Sequence, residues 1–135
     1  MKMTLHHINF VSTDVPKLND FYRNVMGLAE EPTLNAQRIT NQGYPGKTAF
    51  STDGHVQMHL AERDLQLGFR QKQFVNPVER GHIAFRTDDI AAFKKRLEEN
   101  GIPYSDYGTF AMNGWHQIFF HDPEGNVIEV HQASE

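Results

Sequence analysis

The sequence predicts an α+β fold in which one unit, strand–helix–strand–strand–strand, occurs twice. Three observations carry this reading: a strand motif repeated at a fixed offset, a capped amphipathic helix after each copy, and short strand-like runs behind each helix. Leu5-His6-His7-Ile8-Asn9-Phe10 leads to Asp14, and Arg80-Gly81-His82-Ile83-Ala84-Phe85 leads to Asp89. His7 and His82, Ile8 and Ile83, Phe10 and Phe85, and Asp14 and Asp89 each stand 75 positions apart. A repeat of this length means one supersecondary unit used twice.

Each element has a local reason. Asp14 is a helix cap with Pro16 in the first turn, and Leu18, Phe21, Tyr22 and Val25 give helical spacing up to Gly27. In the second copy Asp88 or Asp89 caps, Ile90, Phe93 and Leu97 recur, and Gly101 closes. Strands are expected near 36–41, 47–51 and 55–61 in the first half and near 103–110, 115–121 and 126–131 in the second. Asp53-Gly54 reads as a tight hairpin turn and Asp122-Pro123-Glu124-Gly125 as a type I turn. The chain thus forms a single domain, with module one at about 4–62, a linker at about 63–79 and module two at about 80–132. Leu65, Leu67, Phe69 and Phe74 make that linker too apolar for a free tether, and a packed helical turn is expected there.

Composition narrows the function. The 135 residues carry 13 basic and 17 acidic side chains, a net charge of −4. That balance disfavours nucleic acid, which needs a basic footprint. No apolar run approaches the length of a membrane span. Met1 to Phe10 holds two histidines where a signal peptide needs an uninterrupted apolar stretch, so a cytoplasmic location is expected. With no cysteine and eight histidines, any metal must be held by imidazole and carboxylate.

Strand alternation shows which side chains are available for that. Ile8 and Phe10 share one face of the first strand, the one a following helix can cover; His7, Asn9 and Val11 take the other. In the second copy Ile83 and Phe85 go under the helix, leaving His82, Ala84 and Arg86 opposite. In Val127-Ile128-Glu129-Val130-His131 the glutamate sits among apolar neighbours, a costly place for a carboxylate without a partner. His59 falls opposite Glu129 when the apolar residues of the two final strands are aligned with one extra residue after Asp53-Gly54. Such groups on one concave face suit Zn, Fe(II), Ni, Co or Mn. His6, His55, His116, His121 and His131 have no repeated partner and are expected at the surface or rim, with His131 and His116 nearest the cleft mouth.

These residues resemble the vicinal oxygen chelate superfamily, which includes glyoxalase I, methylmalonyl-CoA epimerase, extradiol dioxygenases and bleomycin-resistance proteins. The resemblance lies in His7-Ile8-Asn9-Phe10, Phe21 through Leu28, Gly81-His82-Ile83-Ala84-Phe85 and Phe119 through Glu129. It implies two paired βαβββ modules in a curved, U-shaped mixed sheet with helices on its outer face. It further implies a divalent metal held by His7, His82 and Glu129, with His59 at the fourth position, and a homodimer. Phe119 stands where the dioxygenase pattern has tyrosine, and Phe110, Ala111 and Met112 where it has histidine. The expectation is therefore a metal-dependent, glyoxalase-like lyase or isomerase. It would transfer a proton, through Glu129, next to a metal-chelated oxygen pair on a small substrate. The alternatives are an iron-dependent extradiol-type dioxygenase and a non-catalytic binding or resistance module. Trp115, Phe50 and Tyr44 are candidate pocket walls, and Arg38, Arg63, Arg70, Lys72 and Arg86 candidate partners for an acidic group.

Overall fold

Two βαβββ modules follow one another along the chain in the computed structural model, which describes residues 1–134. The first comprises β1 (Met3–Ser12), α1 (Val15–Asp20) running into a π-helical turn (Phe21–Val25), β2 (Ala29–Glu30), a short α2 (Leu34–Gln37), β3 (Thr48–Thr52) and β4 (Gln57–Glu62). A one-turn α3 (Leu67–Arg70) interrupts the linker. The second comprises β5 (His82–Thr87), α4 (Ile90–Glu99), β6 (Ser105–Gly108), β7 (Trp115–His121) and β8 (Val127–Ala133). All strands join one curled mixed sheet of eight, in the order β2-β3-β4-β1-β5-β8-β7-β6.

The first strands of the two modules pair antiparallel at the centre: His7 lies opposite Ala84, Ile8 opposite Ile83 and Asn9 opposite His82. Because Ile8 and Ile83 are equivalent in the repeat, a local two-fold axis passes through that pair and exchanges His7 with His82. Outward from it, β4 runs parallel to β1 with His59 beside Asn9, and β8 parallel to β5 with Glu129 beside Ala84. Asn9 and Ala84 are themselves equivalent, so the registers set His59 and Glu129 at matching positions, as aligning the apolar residues predicts.

The caps are those the sequence predicts. Asp14 Oδ1 accepts from the Lys17 amide, and Asp89 Oδ1 from the Ala92 amide. Beneath α4, Ile90 and Leu97 pack with Ile118 and Val130; beneath α1, Val15 packs with Ala49 and Leu60. A third cluster joins Leu67, Val75 and Val78 of the linker to Tyr44, Ala61, Tyr107, Phe110, Phe119 and Val127, so the linker closes one end of the concavity. Its docking is anchored where Tyr107 donates to the Val75 carbonyl at 2.7 Å and the Val75 amide to Ser105 Oγ at 3.1 Å.

Three details depart from expectation. No strand runs over 36–41: α2 ends at Gln37, Arg38 makes one isolated bridge to Met112, and β2 lies earlier at Ala29–Glu30. Here Asn35 Oδ1 accepts from Thr48 of β3, while the Gln37 carbonyl and the Arg38 guanidinium bond to neighbouring loops, in place of a ladder. Ile8 and Phe10 are not covered, because α1 seats on β3 and β4; both remain about 40% exposed, at 37% and 40%. The β3–β4 connection spans 53–56, longer than a two-residue turn, because Asp53 Oδ1 binds the His55 and Val56 amides.

Gly81, immediately before His82, has φ +87°, and a Cβ there would lie 2.5 Å from the Asn9 carbonyl oxygen. Only glycine permits both the left-handed backbone and this approach of β1 to β5. Gly81→Ala is expected to lower stability by about 2 kcal/mol or more, measured by urea denaturation; an unchanged midpoint would show that the close approach is not required.

Candidate metal centre

The inner face of β1 carries more than alternation allows. The β1–β5 register shifts between Leu5 and His7, a bulge at His6. A bulge re-aims side chains locally. Here it lets both His6 and His7 turn inward, with their Nδ1 atoms 2.8 Å apart. His6 then stands edge-on to His131 and Trp115, with ring centroids at 4.8 and 5.3 Å.

Glu129 occupies the centre and is 1% exposed. Its Oε1 lies 3.0 Å from His82 Nε2 and 3.5 Å from His7 Nε2. Its Oε2 accepts from His131 Nδ1 at 2.6 Å and from Gln117 Nε2 at 3.4 Å. Burial alone would raise this carboxyl, but the imidazoles of His7, His131 and His82 hold it well below the ordinary carboxylate range. Burial drives His7 down to about 4, against the pull of Glu129, and with added repulsion from His7 drives His6 to about 3. Burial also holds His59 well below 6.5. His6, His7 and His59 are thereby held neutral around an ionised Glu129.

Tautomers sharpen this. His82 Nδ1 is 2.8 Å from the Pro77 carbonyl oxygen, an obligate acceptor, so that nitrogen carries the proton. In a neutral ring the Nε2 lone pair then faces Glu129 Oε1 at 3.0 Å. Two acceptors at that distance require a shared cation, whether a proton or a metal ion. On the other side, Arg86 Nε donates to His131 Nε2 at 3.0 Å, which leaves the His131 proton on Nδ1 for Glu129. The donor set of imidazole nitrogens and one carboxylate oxygen, buried and negative, fits a borderline divalent ion.

The four residues singled out from the sequence all line one pocket. Within it, His7, His82 and Glu129 converge, while His59 stacks flat on His7 at 3.6 Å and turns its Nε2 to Gln57 at 2.7 Å. Among the described residues, close three-membered groups of possible donor atoms are His7 with Glu129 and His131, and His6 with His7 and His59. His131 is fully buried and His6 half-buried, neither at the surface. His131 shares strand parity with Glu129, a signal present in the sequence. His116 lies apart, paired with Asp106.

Beyond the histidines the pocket wall is mostly apolar, with Tyr44, Phe50, Phe110, Trp115 and Phe119. Arg38 reaches this wall but spends its guanidinium on the Tyr44 and Gly46 carbonyls and Thr48 Oγ1. Of three buried amide oxygens without a partner among the described residues, two, Asn9 Oδ1 and Gln117 Oε1, belong to residues that line this pocket. Gln117 turns its NH2 to the Glu129 carboxylate, which leaves its oxygen a buried acceptor.

A curled sheet of paired βαβββ modules with histidines and a glutamate at its centre defines a fold class seen in known proteins. The chain belongs to the Glyoxalase/Bleomycin resistance protein/Dioxygenase superfamily, whose pattern matches residues 4–130. It is 28% identical over 132 residues to "Glyoxylase I 4" of Arabidopsis thaliana, covering 94% of this chain and 69% of that protein. Among solved structures, a hypothetical protein from Bacillus halodurans C-125 superposes with TM-score 0.73 at 22% identity, over 100% of this chain and 97% of that one. Methylmalonyl-CoA epimerase from Mycobacterium tuberculosis superposes with TM-score 0.67 at 18% identity, over 98% and 89%. These likenesses share the fold. Among the described residues no helix is long and apolar enough to cross a membrane.

His131→Ala removes the shortest bond to a buried charge. The expected loss is about 3 kcal/mol of stability, read from urea denaturation of the metal-free protein. A loss under about 1 kcal/mol would mean that Glu129 is not held through His131.

Proposed function

We propose that this protein is a metal-dependent lyase or isomerase of glyoxalase type, acting on a small substrate with two adjacent oxygens. The observation that carries the reading is Glu129, a fully buried carboxylate whose Oε1 faces His7 and the lone pair of His82. His7, His82 and Glu129 would hold the ion, and His59 would join after a ring turn releases Gln57. Zn, Ni, Co, Fe and Mn all suit this set. When bound, the ion supplies Lewis-acid stabilisation of the negative charge that develops on the substrate oxygens.

The chain's own groups supply the rest. Glu129, held only loosely at the ion, would release Oε1 to take the proton from the carbon beside the oxygen pair and return it. His131 and Gln117 hold Oε2, so the carboxylate keeps its aim while Oε1 changes protonation. Gln117 Oε1 accepts a hydrogen bond from a substrate hydroxyl. The aromatic wall keeps water from the reacting carbon.

Glu129→Gln is expected to lower turnover at least about 100-fold while metal occupancy falls less, and His82→Ala to lose stoichiometric metal binding with the fold retained. Metal analysis with a lyase and isomerase substrate panel in deuterated water reads both; label should appear at the substrate carbon. Oxygen uptake matched to product would overturn the proton-transfer reading, and full occupancy in His82→Ala the ligand assignment.

A homodimer belongs to the same proposal. Met3, Leu5, Ile8 and Phe10 of β1 and Phe21, Val25 and Met26 beside it leave an apolar outer face at least a third exposed. Such a face favours a partner. Light scattering at micromolar concentration is expected to give twice the chain mass; a monomer mass removes the proposal.

A further inference from the structure

We propose that a second pocket, beside α2 and the end of β8 and lined by His6, Gln37, Gln57, Arg86, Asn113 and Trp115, binds the carboxylate of a small organic acid. It lies across the His6–Trp115–His131 stack from the metal centre and shares none of the residues proposed as ligands.

Arg86 carries the inference. Its guanidinium is fixed twice: Nε donates to His131 Nε2 at 3.0 Å, and Cζ sits 5.0 Å from the centroid of the Trp115 ring. Trp115 is itself held, stacked on His131 at 4.3 Å. The plane of the arginine is therefore set before any ligand arrives, and little rotamer freedom remains to be lost. Yet Nη1 and Nη2 have no hydrogen-bond acceptor among the described residues, and no carboxylate lies within ion-pair distance of the group. Compare Arg70, which closes on Asp64, and Arg38, which is spent on two carbonyls and a hydroxyl.

An oriented, unpaired guanidinium fork matches a carboxylate through two parallel hydrogen bonds. The surroundings select the charge of the ligand. No acidic side chain lines the pocket, and Arg86 is the one arginine or lysine among its lining residues. A single positive charge suits a monoanion better than a phosphate dianion. Gln37, Gln57 and Asn113 add neutral amides around the fork. This site does not depend on the proposed reaction, since no metal ligand takes part in it.

Trp115 is the only tryptophan in the chain, so its fluorescence reports on Arg86 directly. The experiment titrates propionate into the protein at constant ionic strength, with propionamide, sodium chloride and inorganic phosphate as controls. Propionate is expected to give a saturable change that propionamide and chloride do not. Arg86→Gln should weaken it at least about tenfold, and Arg86→Lys, which keeps the charge but loses the fork, nearly as much. Should the glutamine variant fail to fold, the lysine variant decides alone. Gln37→Leu, which leaves the tie to His131 intact, should weaken binding about threefold, as the loss of one neutral hydrogen bond would. Equal responses to propionate and propionamide, an undiminished response in Arg86→Lys, or no saturation would overturn the site. Tighter binding of phosphate than of propionate would overturn the ligand class.

Discussion

Burying one carboxylate at the middle of a curled sheet is the constraint on which the rest of this molecule depends. Glu129 is removed from water, and an ionised group in that position is tolerated only with partners on every side. Its two oxygens are treated differently. Oε2 is tied by His131 and Gln117; Oε1 is left facing the Nε2 atoms of His7 and His82. The division decides the chemistry, because one oxygen holds the side chain still and the other is free to share a cation or accept a proton. Arg86 stabilises the arrangement from one ring away, through the tautomer it imposes on His131.

The two modules share geometry but not charge. The axis through Ile8 and Ile83 exchanges His7 with His82 faithfully, but the next equivalent pair is His59 and Glu129, and the pair between them Asn9 and Ala84. Neutral His59, its Nε2 turned to Gln57, stacks on His7 where its counterpart is a clamped anion. One module thus supplies the negative charge, and the other supplies rings and the unpartnered Asn9 oxygen. Linker residues Leu67, Val75 and Val78 close the end of the cup nearest that apolar cluster.

Much of this arrangement is legible in the sequence. A repeat with period-two alternation exposes His7 and His82 together, and Glu129 stands out as a charge in an apolar strand. The alignment that places His59 agrees with the observed register. His131 shares the parity of Glu129, but it has no repeat partner to set it apart from a surface histidine. His6 was not readable, because alternation sends it outward and only a register shift, set by pairing with β5, turns it in. The missing strand at 36–41 has a similar cause: short polar segments take the structure that neighbouring loops permit. Ile8 and Phe10 show the limit of alternation, which gives the face of a side chain but not what covers it.

The bulge at His6 gives the inner surface an adjustable complement of rings. Residues before it pair with β5 in one register and residues after it in another, so removing one residue there would restore a regular ladder without altering the outward positions of Leu5 and Ile8. What would change is the count of imidazoles inside. In this architecture the donor set can be edited by chain length at a single point, leaving every other strand pairing as it stands.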